Sequence, residues 1–301
     1  MALNIATFKT RAATAGVFVL VMLAGMLWNH WSFFILFSII HFGCWIEYQK
    51  LVCLIDPRYA SISPFHKYGV MIAGWCIMLY FTNGAFTLFG IQLSAVGWWL
   101  GIIAVFALPI MELLFSKHLE LKNIGWSAFG LLYLSLSLGM MMDIRCYGMN
   151  VKEHYGISDT YGYVLPLGIL VALWINDTMA YLVGSFIGKT PFSKISPKKT
   201  WEGTIGGAIL CVVVVALAGW QTKIYSVKDW IVIAAIVAVF GILGDLFESK
   251  LKRMANVKDS GSIMPGHGGF LDRFDSLLLA TPFVWLYVTL VMKYVDHLNY
   301  L

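Results

Sequence analysis

Residues 250–275 combine side chains that suit a metal-bound polyphosphate. Asp259, Asp272 and Asp275 offer hard carboxylate oxygens, the ligands that magnesium prefers when substrate phosphates complete its coordination. Basic side chains can hold phosphate oxygens. The same stretch contains five, of which four are candidates for this role: Lys252, Arg253, Lys258 and Arg273. The alternation of acids and bases therefore predicts a site in which carboxylates hold the metal and cations hold the phosphates.

Glycines surround the one histidine of this stretch, His267. Gly266, Gly268 and Gly269 lack a Cβ, so their backbone can approach a ligand closely and present amides to it. We therefore expect this glycine-rich segment to be a ligand-binding loop.

Polar residues at the end of the preceding apolar run share one face of a helix. They are Asp245, Glu248, Ser249 and Lys252, which follow one another at i, i+3, i+4 and i+7. The helical period places such positions on one side. That face leads into the glycine-rich segment, so we expect it to contribute to the same site.

A second basic cluster, KISPKKTWEG, occupies residues 194–203. Ser196-Pro197 is typical of a turn, and Thr200 is a candidate N-cap for the helix that follows. Paired lysines beside a helix N-terminus suit phosphate anions. Lys198 and Lys199 are therefore candidate phosphate ligands, although lysines that only set membrane topology remain the simpler interpretation of this loop.

The elements that must position these groups are membrane-spanning helices. The chain is 59% hydrophobic and 12% charged, about half the charge of a soluble domain. Apolar runs of about 20 residues, enough to cross a bilayer, recur along it. We predict an all-α polytopic helical bundle of nine spans, near 12–28, 31–49, 69–89, 93–115, 124–142, 163–187, 204–220, 229–248 and 275–292. The first run is predicted to be an uncleaved helix rather than a signal peptide.

The distribution of basic residues predicts the orientation of these spans. With a cytoplasmic N-terminus, only five of the 21 Lys and Arg residues fall outside: Arg145, Lys152, Lys223, Lys228 and Lys293. The positive-inside rule therefore predicts a cytoplasmic N-terminus and an external C-terminus. Because topology explains the net charge of +5, we expect no nucleic-acid partner.

Acids inside spans are functional candidates, because a charge at the bilayer centre costs about 2.5–3.5 kcal/mol. Four lie inside the predicted spans, away from their first and last residues: Glu47, Glu112, Asp177 and Asp245. For Glu47 and Glu112 an interfacial carboxylate or a helix-packing hydrogen bond is the simpler interpretation. Asp177, flanked by Asn176 and Thr178, favours a buried polar site.

The remaining patterns exclude several classes of protein. No loop is long enough for a separate soluble domain, so residues 1–301 are predicted to form one membrane domain, with N-terminal helices in 1–142 and the motif-bearing helices in 163–292. The five cysteines form no CxxC or Cys/His cluster that would indicate a zinc site. The sequence GSFIGKT (184–190) is one residue too short for a P-loop.

The order of residues from Ser249 to Asp275, S-x-L-K-R-x4-K-D-x-G-x3-P-G-H-G-G-x2-D-R-x-D, resembles the signature of phosphatidate cytidylyltransferases (CDP-diacylglycerol synthases). NDTMAY (176–181) and ISPKKTWEG (195–203) also resemble segments of this family. The specific similarity covers about 163–285. The first five predicted spans match only as generic hydrophobic helices.

The resemblance implies transfer of a cytidylyl group from CTP to phosphatidic acid, giving CDP-diacylglycerol and pyrophosphate, with Mg²⁺ and a homodimer. The implied catalytic set is Asp245, Lys252, Arg253, His267, Asp272 and Arg273. The implied substrate-binding set is Ser196, Lys198, Lys199, Thr200, Glu202, Ser249, Lys258, Gly268 and Gly269. The implied metal ligands are Asp245, Asp259, Asp272 and Asp275, with Asp177 completing a second cation site. His267 either donates to the pyrophosphate leaving group or shapes the loop.

Two other functions stay open at this point. A transporter or channel also uses intramembrane acids, but its polar residues would extend into the outer half of the bundle, and here they gather on one side. A CTP-dependent enzyme acting on another lipid, such as a lipid-alcohol kinase, would use the same loop, so the full signature must decide. We expect an integral protein of the bacterial inner (cytoplasmic) membrane with its site facing the cytoplasm.

Overall fold

The predicted spans fold as helices in the computed structural model, which describes residues 5–115, 120–155, 161–193, 195–262 and 268–294. The α-helices of these residues are α1 (Ile5–Leu27), α2 (His30–Ile55), α3 (Pro64–Tyr80), α4 (Leu93–Phe115), α5 (Leu121–Gly130), α6 (Ser137–Tyr155), α7 (Val164–Ile187), α8 (Trp201–Thr222), α9 (Val227–Met254) and α10 (Leu271–Tyr287). π-Helical stretches at Leu131–Leu136 and Val288–Met292 join α5 to α6 and extend α10.

Within the described ranges, seven helical segments are long and apolar enough to cross a bilayer: His30–Ile55, Leu93–Phe115, Leu121–Met149, Val164–Ile187, Trp201–Thr222, Val227–Met254 and Leu271–Met292. α1 contributes a shorter apolar portion, Ala13–Leu27. The protein is therefore an all-α polytopic integral membrane protein. The count of nine spans and the orientation of the termini stay predictions.

The third predicted span, 69–89, has wrong boundaries. α3 begins at Pro64 and ends at Tyr80. The following apolar residues form a short antiparallel hairpin, in which β1 (Thr87–Leu88) pairs with β2 (Ile91–Gln92). Asn83 and Gly90 adopt positive φ angles of 50° and 80°, and these turns interrupt the helix. Hydrophobicity alone does not distinguish an apolar hairpin from a continuing helix.

The segment 143–162, predicted as an outside loop that could hold at most a short surface helix, continues α6 as far as Tyr155. Arg145 is only 1% exposed, and its guanidinium carbon lies 5.4 Å from the centre of the Phe33 ring. A cation over an aromatic face is stabilised by the ring quadrupole. Arg145 is therefore a buried residue of α6 rather than a loop residue.

The chain divides into two compact units. The first comprises Met1–Tyr163 with Met254–Arg273, and the second comprises Val164–Arg253 with Phe274–Leu301. Whether these units behave as a single domain, as the sequence predicts, stays a prediction.

Half of the residues of α2 are buried within the first unit. Its Trp45 and Tyr48 pack against Gly130 of α5, where a Cβ would come within 2.6 Å of the Trp45 ring. Trp45 Nε1 donates a hydrogen bond to Ser135 Oγ (2.9 Å). Close contacts at small residues and hydrogen bonds between helices are the forces that hold helices together in lipid, where apolar side chains gain little by leaving the acyl chains.

α3 and α4 are joined by a buried acid. Glu112 of α4 accepts a hydrogen bond from Ser63 Oγ (3.1 Å) and lies 3.2 Å from His66 Nδ1. His66 Nε2 is in turn 2.7 Å from Ser127 Oγ of α5. The interpretation of Glu112 as a helix-packing hydrogen bond is confirmed.

Glycines also set the packing of the second unit. Gly203 and Gly207 of α8 lie directly against the backbone of Ala180 on α7. The ring of Trp230, on α9, occupies the space beside Gly168 and Gly219. These contacts bring α7, α8 and α9 together, and they place the ends of α8 and α9 that carry the predicted site residues within one unit.

Candidate functional site

Three carboxylates of the second unit lie together, and we call them the carboxylate cluster. Asp245 and Glu248 are one turn apart on α9, and Asp275 is near the start of α10. One carboxylate oxygen of each residue lies within 4.8 Å of one oxygen of the other two. Glu248 is 0% and Asp275 8% exposed, so the cluster is largely shielded from solvent.

Gly244 explains why α10 comes so close to α9. A Cβ at this position would lie 2.5 Å from the carbonyl oxygen of Asp275 and 2.9 Å from Cα of Ser276. Any larger residue would therefore push the two helices apart and move Asp275 away from Asp245. The carboxylate cluster therefore requires a glycine at position 244 as well as its three acids.

Two lysines pair with the carboxylate cluster. Lys199 forms an ion pair with Asp245, and Lys252 forms one with Glu248 at the i+4 position of α9. Ser249 Oγ also donates to Asp245 Oδ1 (3.3 Å). The predicted polar face of this helix is confirmed, because its members contact one another along α9.

The donor set of the cluster fits a divalent cation. Carboxylate oxygens are the ligands that Mg²⁺ takes from proteins, usually one or two of them together with water and phosphate oxygens. When all groups are ionised, the three acids carry one more charge than the two lysines balance. Buried charges are costly unless they are paired, so a cation among these oxygens would complete the charge balance.

The lysine turn, which we define as residues 195–200, is held by backbone hydrogen bonds. Phe192 N donates to the carbonyl oxygen of Lys199 (2.8 Å), and Trp201 N donates to that of Thr190 (2.9 Å). Thr200 Oγ1 accepts from Gly203 N (3.2 Å). The prediction that Thr200 is the N-cap of α8 is confirmed. This turn carries Lys199 to the carboxylate cluster.

The other predicted residues around this turn differ in their surroundings. Glu202 accepts hydrogen bonds from Lys189 N (3.2 Å) and Thr190 Oγ1 (2.8 Å), so its carboxylate holds the start of α8 to the residues that directly follow α7. Lys198 is exposed, whereas Ser196 is half-buried. A substrate-binding role for these three residues stays a prediction.

Asp177 is not a member of the carboxylate cluster among the residues that the structure describes. It lies on the surface of α7, within a helix that is long and apolar enough to span the bilayer, and the buried polar site that the sequence favoured stays a prediction. It interacts electrostatically with Lys199 and Asp245. It therefore belongs to the electrostatic surroundings of the cluster, and its role in a second cation site stays a prediction.

The glycine-rich segment is closed by Asp272 within the first unit. Asp272 Oδ2 accepts a hydrogen bond from Ser260 N (2.9 Å), which precedes the glycine-rich segment (residues 261–270), and one from Gly269 N (2.7 Å), near its end. Gly268 has a φ of +74°, and a Cβ there would lie 2.6 Å from Asp272 Oδ2. A glycine is therefore required at 268, and one oxygen of Asp272 is occupied by the loop itself.

The remaining charged residues of the signature are exposed: Arg253, Lys258, Asp259 and Arg273. Their exposure is compatible with contact to a soluble ligand, but their positions do not select one role. His267 and Gly266 lie outside the described residues, so the two roles considered for His267 stay predictions.

Two carboxylates that contact the predicted site residues were not selected as site residues from the sequence. Glu248 was placed on the polar face of α9 but not among the metal ligands, although its i+3 spacing from Asp245 already put the two acids on one side. Glu47 was interpreted as an interfacial or packing carboxylate. It accepts hydrogen bonds from Ser260 and Leu271 at the two ends of the glycine-rich segment, a long-range contact that carries no signal in the sequence.

The fold and the cluster define a class: a polytopic helical membrane protein whose ionic site fits a divalent cation and phosphate oxygens. The sequence matches the cytidylyltransferase family over residues 9–291. The chain therefore belongs to the cytidylyltransferase family.

Curated relatives carry the name phosphatidate cytidylyltransferase. The protein of Bacillus subtilis (strain 168) is 33% identical over 193 residues, 64% of this chain and 68% of that relative. That of Haemophilus influenzae is 33% identical over 199 residues, 64% of this chain and 65% of the relative. That of Staphylococcus aureus (strain COL) is 42% identical over 146 residues, 47% and 55% of the two chains. The matched part thus spans between about half and two thirds of these relatives.

Proposed function

We propose that this chain is a phosphatidate cytidylyltransferase, which transfers the cytidylyl group of CTP to phosphatidic acid and releases pyrophosphate. The observation that carries the proposal is the carboxylate cluster paired with Lys199 and Lys252. Membership of the cytidylyltransferase family and the names of the relatives support it. The alternatives, a lipid-alcohol kinase or a transporter, have no comparable support.

The reaction requires charge neutralisation more than base catalysis. A phosphate oxygen of phosphatidic acid attacks the α-phosphorus of CTP, and the bond from this phosphorus to the oxygen shared with the β-phosphorus breaks. The electron pair leaves with pyrophosphate. Because a phosphomonoester has a second pKa near ~6, the attacking oxygen is already anionic at neutral pH. Cations must therefore allow one polyanion to approach another.

The cluster residues would hold Mg²⁺ through Asp245, Glu248 and Asp275, and a second cation would involve Asp177. When bound, Mg²⁺ would draw charge from the triphosphate oxygens and orient them. Asp259 and Asp272 stay candidate ligands from the sequence. Since Asp272 Oδ2 accepts two backbone amides, shaping the loop is the role that its contacts support.

The basic residues would hold the phosphates of the two substrates. We assign Lys198 and Lys199 to CTP. The other basic residues would hold a phosphate of CTP or of phosphatidic acid: Lys252, Arg253, Lys258 and Arg273. Ser196, Ser249 and Gly268 would supply hydrogen-bond donors to the substrates. The amide of Gly269 already donates to Asp272. Gly269 would therefore contribute a close approach of its backbone to the substrate rather than a hydrogen bond.

The membrane setting follows from the substrates. CTP is a cytosolic nucleotide, and phosphatidic acid lies in the bilayer, so we infer a site at the cytoplasmic face of the bacterial inner membrane. The excess of basic residues on one side of the predicted spans supports this orientation. A homodimer rests on the family resemblance alone, and light scattering of the purified protein in detergent would measure it.

The activity is tested with the full chain purified in detergent and supplied with CTP, phosphatidic acid and Mg²⁺. We expect pyrophosphate release together with CDP-diacylglycerol, identified by mass spectrometry. Omitting the lipid, or replacing CTP with ATP, should abolish both products. Release of CDP with phosphorylation of a lipid alcohol would instead establish the kinase alternative, and no turnover with any lipid would contradict both enzyme functions.

A further inference from the structure

The carboxylate of Glu47 binds the two ends of the glycine-rich segment. Glu47 lies on α2 and is 3% exposed. Its Oε2 accepts hydrogen bonds from Ser260 Oγ (2.8 Å) and from Leu271 N (2.9 Å). Ser260 precedes the glycine-rich segment, and Leu271 is the first residue of α10. One buried oxygen of α2 therefore ties the beginning of the segment to the helix that follows it.

Ser260 connects this oxygen to Asp272. Its hydroxyl oxygen lies 2.8 Å from Glu47 Oε2 and 2.9 Å from Asp272 Oδ2. A hydroxyl has one proton, which it donates to one of these carboxylates at a time, while the Ser260 amide donates to Asp272 throughout. Glu47 and Asp272 thus close the segment from two sides, Glu47 from a transmembrane helix and Asp272 from within the signature.

Glycines allow the segment to lie directly on Glu47. A Cβ at Gly261 or at Gly269 would overlap the Glu47 carboxylate, and a Cβ at Gly43, one turn earlier on α2, would overlap the ring of Phe270. α2 therefore packs closely against the described ends of the segment. Gly43 lies against the ring of Phe270, and Glu47 lies against the backbone at Gly261 and Gly269.

A buried carboxylate requires such a set of donors to be tolerated. An ionised group that loses its hydration without hydrogen bonds is strongly destabilising, and hydrogen bonds to a charged acceptor are about twice as strong as neutral ones. The donors that Glu47 receives come from the glycine-rich segment and the start of α10. The Glu47 carboxylate therefore fixes the positions of Ser260 and Leu271 relative to α2.

We propose that Glu47 is a positioning residue for CTP binding: it holds the described ends of the glycine-rich segment, Ser260–Gly261 and Gly269–Leu271, in the arrangement that receives the triphosphate. This inference rests on the proposed function and adds to it that the glycine-rich segment contacts CTP rather than phosphatidic acid. It gives the N-terminal helices, which resemble the family only as hydrophobic spans, a direct part in nucleotide binding.

The test compares Glu47→Gln with Glu112→Gln. Both changes remove a buried carboxylate of the first unit while keeping the side-chain length, but Glu112 bonds Ser63 and His66 rather than the signature. In Glu47→Gln we expect the KM for CTP to rise about tenfold or more, the size of a lost charged hydrogen bond, with the KM for phosphatidic acid near the wild-type value. Glu112→Gln should leave both KM values unchanged, even if it lowers the melting temperature.

Ser260→Ala is the second variant, which keeps the proposal testable if Glu47→Gln fails to fold. It removes only the hydroxyl and should raise the KM for CTP in the same direction. In the double variant the effects should be less than additive, because both changes break the same contact. An unchanged KM for CTP in Glu47→Gln or Ser260→Ala would overturn the proposal, as would an equal rise in the KM of both substrates.

Equilibrium binding of CTP, measured by calorimetry with Mg²⁺ and without lipid, separates this inference from the proposed activity. If the wild-type chain binds CTP but forms no CDP-diacylglycerol, the activity is wrong, and a weaker CTP affinity of Glu47→Gln still supports the positioning role. If Glu47→Gln binds CTP with the wild-type affinity, the positioning role is wrong whatever the reaction.

Discussion

Lys199, in the lysine turn before α8, forms an ion pair with Asp245 of α9. The two side chains are 29% and 31% exposed, so solvent screens their attraction, and such pairs contribute little to stability. A lysine held this loosely can exchange its carboxylate for a phosphate oxygen at small cost. The pair therefore joins the residue proposed to bind phosphate to a residue proposed to bind metal before any substrate is present.

Replacing Lys199 with Gln should weaken CTP binding. A charged hydrogen bond is worth about 1.5–3 kcal/mol, so we expect the KM for CTP to rise about tenfold to a hundredfold, measured from initial rates at saturating phosphatidic acid. Lys223→Gln, at the opposite end of α8, removes the same charge and should behave as the wild type. A wild-type KM in Lys199→Gln would contradict a contact with CTP.

Replacing Asp245 with Asn should abolish most of the turnover while the protein stays folded. Asn keeps the volume and one oxygen but loses the charge that a cation and Lys199 share, and we expect a loss of about a hundredfold or more in kcat. Asp229→Asn is the matched control. Asp229 is near the other end of the same helix, where it accepts from Ser226 Oγ and Tyr287 OH (both 2.7 Å).

Both variants should elute as single species in size-exclusion chromatography, and Asp229→Asn should retain turnover close to the wild-type value. Near-normal activity of Asp245→Asn in this comparison would show that the carboxylate is dispensable and would exclude it as a cation ligand.

Metal dependence should track the carboxylate cluster. A chelator should abolish turnover, and Mg²⁺ should restore it. Asp275→Asn should raise the Mg²⁺ concentration needed for half-maximal rate about tenfold or more, because losing a group of a metal site commonly costs that much affinity. Glu248→Gln should shift it in the same direction. If the Mg²⁺ titrations of these variants superimpose on the wild-type curve, the cation is held elsewhere.

Asp56 should contribute a pH-dependent part of the stability of the first unit. The ammonium of Lys122, 3.0 Å away, and then Arg58 lower the pKa of this carboxyl to about 2. Since the unfolded value is about 3.9, the stabilisation is fully present above that pH and is lost as the pH falls towards 2. Thermal unfolding should therefore separate Asp56→Asn from the wild type at neutral pH, and the two curves should converge near pH 2.

Much of the architecture could be predicted because the bilayer imposes it. A chain segment in lipid must satisfy its own backbone hydrogen bonds, so apolar runs become helices. The helical period also placed Glu248 and Lys252 beside Asp245. The hairpin at 87–92 was missed because its residues are as apolar as a span, and its turns depend on the positive φ of Asn83 and Gly90.

The candidate site was predictable only where its residues are near one another in sequence. Lys199 pairs with Asp245, and Asp275 comes close to Asp245 because Gly244 has no side chain. Both contacts depend on how the helices pack, which cannot be read from the spacing of residues along the chain. Glu47 is the clearest case, since its partners Ser260 and Leu271 are at the opposite end of the chain. A lone acid in an apolar run looks the same whether it faces lipid headgroups or a binding loop.

The backbone at Gly268 should be needed for activity more than for folding. Its φ of +74° is unfavourable for any residue with a Cβ by about 1–2 kcal/mol, and the added methyl would press on Asp272 Oδ2, which closes the glycine-rich segment. We expect Gly268→Ala to lower kcat/KM for CTP strongly. Gly125→Ala, at an open site on α5 with no atom within 4 Å of the new Cβ, should leave activity unchanged and stabilise its helix by about 0.5–1 kcal/mol. Equal kcat/KM values for the two variants would show that the conformation of the segment does not matter for CTP.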